Sequence, residues 1–516
     1  MSEIEQRLEE LEQLGLYRRL RLVSGPQGPT VLIDGKPVLL LCSNNYLGLA
    51  DHPRVREAAA EAAMRWGVGA GASRLVSGTM TIHRRLEEGL ADFKGTESCL
   101  LFGSGYLANI GAIGSLAGAG DTVFSDELNH ASIVDGCRVS RAEVVVYRHR
   151  DVEHLMWSLR KHGRRDGSRR LIVTDSVFSM DGDVAPLEDI AELAAMYDAR
   201  LMVDEAHATG NLGPGGRGAV AEAGLEREVD VIVGTLGKAL GSYGAYVCAS
   251  AEMVRYLINT ARPLIYSTAP PPPVVAGALA ALNLLRERPH RVERLRSNAR
   301  ALRRGLAREG FPVADGDVHI VPLIVEDERA AMRLCQEALE RGVFAQAIRP
   351  PSVPAGSSRL RLTAMASHTA SELEMAATVF ADAAHAIGLD PTSITPALPE
   401  RQRTFEELDE REPAYAERGH GELRYTELTV LTHERAGADE ESSMPFDLER
   451  DGGRAPVLSA AETAASPAPT HDQPTEEFNV ELDIESTDHA AATAAETSAA
   501  DVPFDFEREL HDVRAA

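Results

Sequence analysis

Val231-Ile-Val-Gly-Thr-Leu-Gly-Lys-Ala-Leu240 is an apolar run that turns and presents a lysine. Val231–Val233 reads as a buried strand, and the glycines after it as the loop that ends it. Lys238 is conspicuous because this chain otherwise uses arginine. Of 53 lysines and arginines, lysine stands only at 36, 94, 161 and 238. Arginine stays protonated, whereas a partly desolvated lysine can release its proton and attack a carbonyl. A lysine behind a buried strand is therefore a candidate nucleophile.

Outward from that strand, residues 50–250 alternate between short apolar strands and helices. Strands are expected at Ser98–Phe102, Thr122–Ser125, Val144–Tyr147, Leu171–Thr174, Leu201–Val203 and Ala245–Cys248. Helices are expected at 53–66, 79–94, 106–116, 130–140, 151–162 and 187–197. This alternation predicts an α/β fold with a mostly parallel sheet covered on both faces. Upstream, residues 3–14 have helical spacing, and Val31–Leu41 reads as a hairpin turning at Asp34-Gly35. Downstream, Pro270–Pro273 leads into a long helix ending near 308. A strand at 318–324, a helix at 327–341, a strand at 359–362 and a helix at 370–386 then suggest a small α+β unit. The expected division is 1–50, an N-terminal segment; 51–251, the large domain; 252–387, the small domain; and 388–516, an acidic tail.

The net charge of −26 is concentrated in that tail. By residue count, 388–516 contributes roughly −21 of it, which leaves the rest nearly balanced. Ala-, Pro- and Glu-rich sequence of this kind is expected to be disordered, with at most a brief strand at 422–432. Pro445-Phe-Asp-Leu-Glu-Arg450 and Pro503-Phe-Asp-Phe-Glu-Arg508 form a weak repeat. It reads either as chance in biased sequence or as two copies of a docking peptide. The acidity argues against nucleic-acid binding. No apolar run approaches the roughly 20 residues of a membrane span, and the N-terminus lacks a signal core, so a cytoplasmic protein is expected. Cysteines at 42, 99, 137, 248 and 335 lack CxxC spacing and read as reduced thiols, with no metal site.

Four loops carry candidate chemistry. In Leu201-Met-Val-Asp-Glu-Ala-His207, Asp204 follows a buried strand and could hold a cationic nitrogen, with His207 near a neighbouring oxygen. The same letters spell a helicase "DEAH" box. That reading needs a GxxxxGK[ST] phosphate loop, which Gly234–Ala239 does not supply. Gly103-Ser-Gly-Tyr106 opens a helix and could offer backbone amides to a phosphate. Asp126–His130 and Ser176–Gly182 also follow strands, and Thr235 precedes Lys238 by three. Together they describe a ligand with a phosphate, an aromatic face, a ring nitrogen wanting a carboxylate, and an aldehyde wanting an amine. Pyridoxal phosphate meets each demand.

Six ordered motifs make the pattern specific. They are Ser43-Asn-Asn-Tyr-Leu-Gly48, Gly69–Gly78 with His83, Asp126–Ser132, Phe178–Asp183, Val203–His207 and Thr235–Lys238. Over residues 1–387 the chain resembles the α-oxoamine synthases of the fold-type I pyridoxal-phosphate superfamily. The resemblance implies that Lys238 bonds the cofactor aldehyde and later moves the substrate α-proton. It implies that Asp204 pairs with the pyridine nitrogen, His207 meets the ring hydroxyl, and His130 stacks on the ring. Gly105 and Tyr106 would lie at the phosphate, while Ser179 and Thr235 hydrogen-bond the cofactor. Asn44 and Arg361 would receive the amino-acid carboxylate, and Arg18, or Arg19 or Arg21 beside it, the acyl substrate. Ser352 stands where the family usually has threonine. Tyr266-Ser-Thr268 would reach a partner subunit's phosphate in a homodimer.

The implied reaction condenses an amino acid with an acyl thioester and releases carbon dioxide. L-alanine and pimeloyl-CoA or pimeloyl-ACP are the implied pair, in biotin synthesis. The alternatives are a glycine-using sister enzyme, of the 2-amino-3-ketobutyrate ligase or 5-aminolevulinate synthase type, and an inactive interaction protein working through its tail. Ala70 and Ala72, where glycine is frequent in the family, leave the amino-acid pocket open.

Overall fold

The computed structural model describes residues 2–13, 16–162 and 167–395. Of the tail expected over 388–516, residues 396–516, with the expected strand and the repeat, lie outside the described residues; 388–395 are ordered, with a short 3-10 helix at Pro391–Ser393 and Ile394 buried in an apolar core.

Seven strands build the main sheet: β1 (Ser98–Phe102), β2 (Thr122–Asp126), β3 (Glu143–Tyr147), β4 (Arg170–Asp175), β5 (Arg200–Asp204), β6 (Val231–Thr235) and β7 (Ala245–Ala249). Their order is β1-β7-β6-β5-β4-β2-β3. Strands β2 to β6 run parallel to one another, and β7 is antiparallel to both β6 and β1. The mostly parallel sheet is as expected. The exception has a local cause. Thr235 faces Ala245 across the connection, and so short a link can close a hairpin but not the longer crossover that parallel strands need.

Both faces of this sheet are covered. Leu201, Val203 and Ile232 enter one apolar core, while Met202, Val231 and Val233 enter the other. In β5, β6 and β7, where neither face is wet, selection for apolar side chains acts on both faces, and the strands read as apolar runs. Gly234 is the exception within β6. A Cβ there would stand 2.2 Å from the Tyr246 ring.

A second, three-stranded sheet holds β8 (Ile320–Glu326), β9 (Gln346–Ile348) and β10 (Ser358–Thr363), in the antiparallel order β8-β10-β9. The N-terminal hairpin, Thr30–Ile33 against Lys36–Leu40, turns at Asp34 and Gly35, both at positive φ. Leu39 and Leu40 pair with Val343 and Phe344. Val31, Ile33 and Val38 therefore share one core with Leu323, Leu360 and Phe380.

The long helix expected after Pro273 is two helices, Pro272–Glu287 and His290–Arg308. Pro289 has no amide hydrogen to donate, and its ring pushes Arg288 out of helical geometry, to φ −128° and ψ 61°. Two helices that the sequence reading did not mark, Ala251–Thr260 and Arg262–Ile265, follow β7. Among the described residues no helix is long and apolar enough to cross a membrane.

Candidate active site

The loops singled out in the sequence converge at the carboxyl ends of β2, β4, β5 and β6. Open parallel sheets place ligands at that edge. Asp126, Asp175 and Asp204 are each the last residue of their strand. Asp175 and Asp204 are register partners on adjacent strands.

Lys238 lies in the turn after β6. Thr235 Oγ1 accepts from the amide of Gly237 (3.1 Å) and donates to the carbonyl of Gly244 (3.1 Å), which secures this turn. The Lys238 amine lies 2.7 Å from His207 Nε2. His207 Nδ1 lies 2.7 Å from the Tyr46 hydroxyl, which donates to Asn44 Oδ1 at 2.9 Å. Arg361, on β10, reaches Asn44 Oδ1 and the Tyr46 hydroxyl, each at 3.4 Å, and its Nε donates to the carbonyl of Ser179. Five segments distant in sequence thus form one polar chain.

The electrostatics fix its hydrogen-bond directions. Burial drives the His207 imidazole well below its ordinary value, and the nearby Lys238 and Arg361 cations push the same way. His207 is therefore neutral. Tyr46 spends its only proton on Asn44, so His207 Nδ1–H donates to Tyr46 and Nε2 accepts from Lys238. Burial also lowers the Lys238 ammonium from 10.5 to about 8, against the opposing pull of Asp204 and Asp175. A free amine is then accessible near neutral pH.

Asp204 is buried on the other side of this amine. Its Oδ2 accepts from Asn109 Nδ2 (2.7 Å) and its Oδ1 from the amide of Ala206 (2.8 Å). Asn109 also donates to Ser132 Oγ at 2.9 Å, and Ser132 Oγ lies 2.7 Å from His130 Nδ1. Asn109 Oδ1 is buried with no hydrogen-bond partner. The His130 amide donates to Asp175 Oδ2 at 2.7 Å. Asp175 is fully enclosed, and burial, reinforced by Asp204, raises its carboxyl well above the usual range. His130 keeps one face open to solvent, yet the surrounding protein crowds its imidazole enough to lower its proton affinity.

The helix Gly105–Leu116 begins at the same edge. Its cap, Ser104, accepts from the amide of Leu107 at 3.2 Å, which leaves the Gly105 and Tyr106 amides outside that cap. A Cβ on Gly105 would meet no atom within 4 Å, so the helix start opens onto free space. The Tyr106 hydroxyl donates to Asp135 at 2.5 Å. An amine with a lowered proton affinity, a buried carboxylate and an open helix N-terminus on one rim match the demands of pyridoxal phosphate.

Not every expected residue joins this cluster. Arg18 is exposed beside Arg349, whose carbonyl accepts from the amide of Ser352 at 3.0 Å. Nothing in the described residues ties Arg18 or Ser352 to Lys238. Thr268 bridges to Ser73, and the Ala269 amide donates to the carbonyl of Ala72, so the Gly-rich stretch and Tyr266–Thr268 are adjacent. Sequence reading gave no role to Tyr46, Asn109, Ser132 or Asp175. Tyr46 and Ser132 lie inside two of the quoted motifs, Asp175 is a carboxylate directly after an apolar strand like Asp204, and Asn109 alone carried no signal.

Comparison with known proteins agrees with this geometry. The family aminotransferase class I and II matches residues 36–380. An 8-amino-7-oxononanoate synthase of Geobacter sulfurreducens is 52% identical over 384 residues, covering 74% of this chain and 98% of that protein. A serine palmitoyltransferase from S. paucimobilis, solved with a bound PLP–myriocin aldimine, superposes with a TM-score of 0.71 at 35% identity. That match covers 75% of this chain and 98% of that one. An 8-amino-7-oxononanoate synthase structure from Francisella tularensis gives a TM-score of 0.58 at 26% identity, covering 68% of this chain and 99% of that one. The chain belongs to the aminotransferase class I and II family of pyridoxal-phosphate enzymes. Within that family it is an acyltransferase, as the resemblance to the α-oxoamine synthases implied.

Proposed function

We propose that this enzyme condenses L-alanine with a pimeloyl thioester, forming 8-amino-7-oxononanoate, carbon dioxide and the free thiol in biotin synthesis. The 52% identity to a synthase of that name supports this choice of product. The observation that carries the chemistry is the chain from Lys238 through His207 and Tyr46 to Asn44 and Arg361.

In this reading Lys238 holds the cofactor's aldehyde carbon. Asp204 faces its ring nitrogen, His207 its ring hydroxyl and His130 its ring face. The amides of Gly105 and Tyr106 face its phosphate, with Ser179 and Thr235 as further hydrogen-bonding groups. When bound, pyridoxal phosphate supplies an electron sink for a carbanion beside the amino nitrogen. The remaining tasks fall to the protein. Asp204, a buried carboxyl, is placed to pair with a ring nitrogen and favour its protonated form. Lys238 removes and returns the proton at the substrate α-carbon, a task suited to an amine that titrates at about 8. Arg361 and Asn44 grip the amino-acid carboxylate through planar hydrogen bonds. Ser352 and Arg18 serve the acyl chain.

The working form is a homodimer. Val68, Val76 and Tyr266 are 79%, 80% and 71% exposed. Side chains so apolar favour a covering surface, and a second copy would supply it. Residues 51–251 are taken as the cofactor-binding body and 252–387 as the smaller domain.

A panel of purified enzyme with alanine, glycine or serine against pimeloyl-CoA, pimeloyl-ACP, acetyl-CoA, succinyl-CoA or palmitoyl-CoA tests the substrate choice. Alanine with a pimeloyl thioester should give the highest kcat/KM. Faster turnover of glycine with acetyl- or succinyl-CoA, or of serine with palmitoyl-CoA, would overturn it.

A further inference from the structure

Behind the site, His149 stands between two carboxylates. Its Nδ1 lies 2.9 Å from Asp126 Oδ1 and its Nε2 lies 2.8 Å from Asp183 Oδ2. Both carboxylates are already acceptors elsewhere. Asp126 accepts from the amides of Leu128 and Arg150, each at 2.9 Å. Asp183 accepts from Arg150 Nη1 at 3.1 Å. A neutral imidazole has one N–H and could satisfy only one of the two, whereas the cation has two N–H groups and satisfies both. The ring is nearly enclosed and meets Phe178 edge-on, with centroids 4.3 Å apart at 88°. Its backbone amide donates to Glu127 Oε1 at 3.0 Å.

What the ring joins matters more than its charge alone. Asp126 begins the loop that ends in His130. Asp183 ends the loop that carries Ser179, and Arg359 and Arg361 of β10 hold that loop at Asp181 and at the Ser179 carbonyl. We propose that His149, carrying protons on both ring nitrogens, is a positioning residue that fixes the His130 loop against the Ser179 loop. Together with Arg150, whose amide and guanidinium bond the same two carboxylates, this strut keeps the β2 edge of the site in register with the β10 edge that bears Arg361. The inference rests on the reading above that His130 and Ser179 face the cofactor.

The groups facing the ring are Asp126 and Glu127 from the β2 end, Arg150 from its own segment, and Asp183 and Phe178 from the loop after β4. Burial works against the charge, and the hydrogen bonds that the ring donates to Asp126 and Asp183 outweigh it, raising His149 from 6.5 to about 10. The strut therefore holds through the neutral range and releases only in strong alkali.

The test uses full-length enzyme labelled with 15N-histidine, with the His149 signals assigned by their loss in His149→Gln. Both ring nitrogens should show imidazolium shifts at pH 8, and Asp183→Asn should move their titration to lower pH. In apoprotein titrated with pyridoxal phosphate and followed by visible absorbance, His149→Gln should bind the cofactor about tenfold more weakly. It should also lower kcat about tenfold while KM for the thioester stays within about twofold, as a small misplacement of reacting groups does. A neutral His149 at pH 8 would overturn the proposal. So would a His149→Gln enzyme with wild-type cofactor affinity and kcat. If that variant does not fold, the histidine signals whose titration moves in Asp183→Asn mark the His149 ring, and their wild-type shifts at pH 8 decide. The shifts and the cofactor titration need no acyl substrate, so they stand or fall separately from the choice of thioester.

Discussion

Two lysines, Lys94 buried and Lys238 half-buried, flank one loop and meet opposite fates. Lys94, on the helix Thr81–Lys94, is 1% exposed and wholly paired. Its amine donates to Glu205 Oε2 (2.5 Å), Thr209 Oγ1 (2.8 Å) and the carbonyl of Arg217 (2.6 Å). Glu205 Oε1 takes the amide of Val220 at 2.7 Å, and Gly218 makes room, since a Cβ there would stand 2.2 Å from Glu205 Oε2. Lys238, on the other side of the same loop, meets neutral His207 instead, with the Arg361 cation nearby. Asp204 and Glu205 are consecutive, so successive side chains serve opposite sides. Pairing with three acceptors makes Lys94 a structural pin, whereas withholding a bonded carboxylate from Lys238 leaves an amine free to react.

The largest effect that follows is on turnover. Lys238→Arg keeps a cation in the site but removes the amine, and should lower kcat by at least about 10⁴-fold, the scale of losing a nucleophile. Steady-state assays of the folded variant check this, and activity within tenfold of wild type would erase the contrast between the two lysines.

Lys94→Met should act on stability. Leaving Glu205 unpaired in the core should cost about 3–5 kcal/mol in denaturant unfolding of the apoprotein. Lys94→Met combined with Glu205→Leu should recover part of that loss. A single variant as stable as wild type would show that the pin is dispensable.

A smaller effect should carry the opposite sign. Lys238 has a folded-state value of about 8 against 10.5 when free. Below pH 8 both states hold the proton, and the cost of burying it is fully present. Between 8 and 10.5 the unfolded chain holds more protons, so this lysine's contribution to wild-type stability rises with pH. Lys238→Met apoprotein should thus be more stable than wild type at pH 7, by about 1–2 kcal/mol given the residue's partial solvent access. That advantage should vanish near pH 10.5. Melting curves at pH 7, 9 and 10.5 give the sign, and a variant less stable than wild type at pH 7 would contradict it.

Much of this arrangement was legible in the sequence because it is local. Val231–Lys238 and Leu201–His207 each put a strand and its functional loop within ten residues, and their apolar runs betray burial on both faces. Lys238 was marked by its place after a buried strand and by its rarity in a chain that elsewhere prefers arginine. The partners that tune it were not legible. Tyr46 and Asn109 lie in segments remote from β5 and β6; the motif around Tyr46 marked the segment but not its bond to His207, and nothing near Asn109 announces Asp204. His149 follows an apolar strand like several other residues, and its two carboxylates come from different loops. The break at Pro289 was visible as a proline in a helical pattern, but the surrounding apolar spacing is continuous, and reading that spacing as one helix hid it.

The most direct measurement reduces the enzyme with sodium borohydride after loading with pyridoxal phosphate and maps the modified lysine by peptide mass spectrometry. With lysine at only 36, 94, 161 and 238, the assignment is unambiguous. The account predicts a stoichiometric pyridoxyl adduct on the peptide containing Lys238 and none on the peptide containing Lys94. An adduct elsewhere, or no adduct on Lys238, would contradict it.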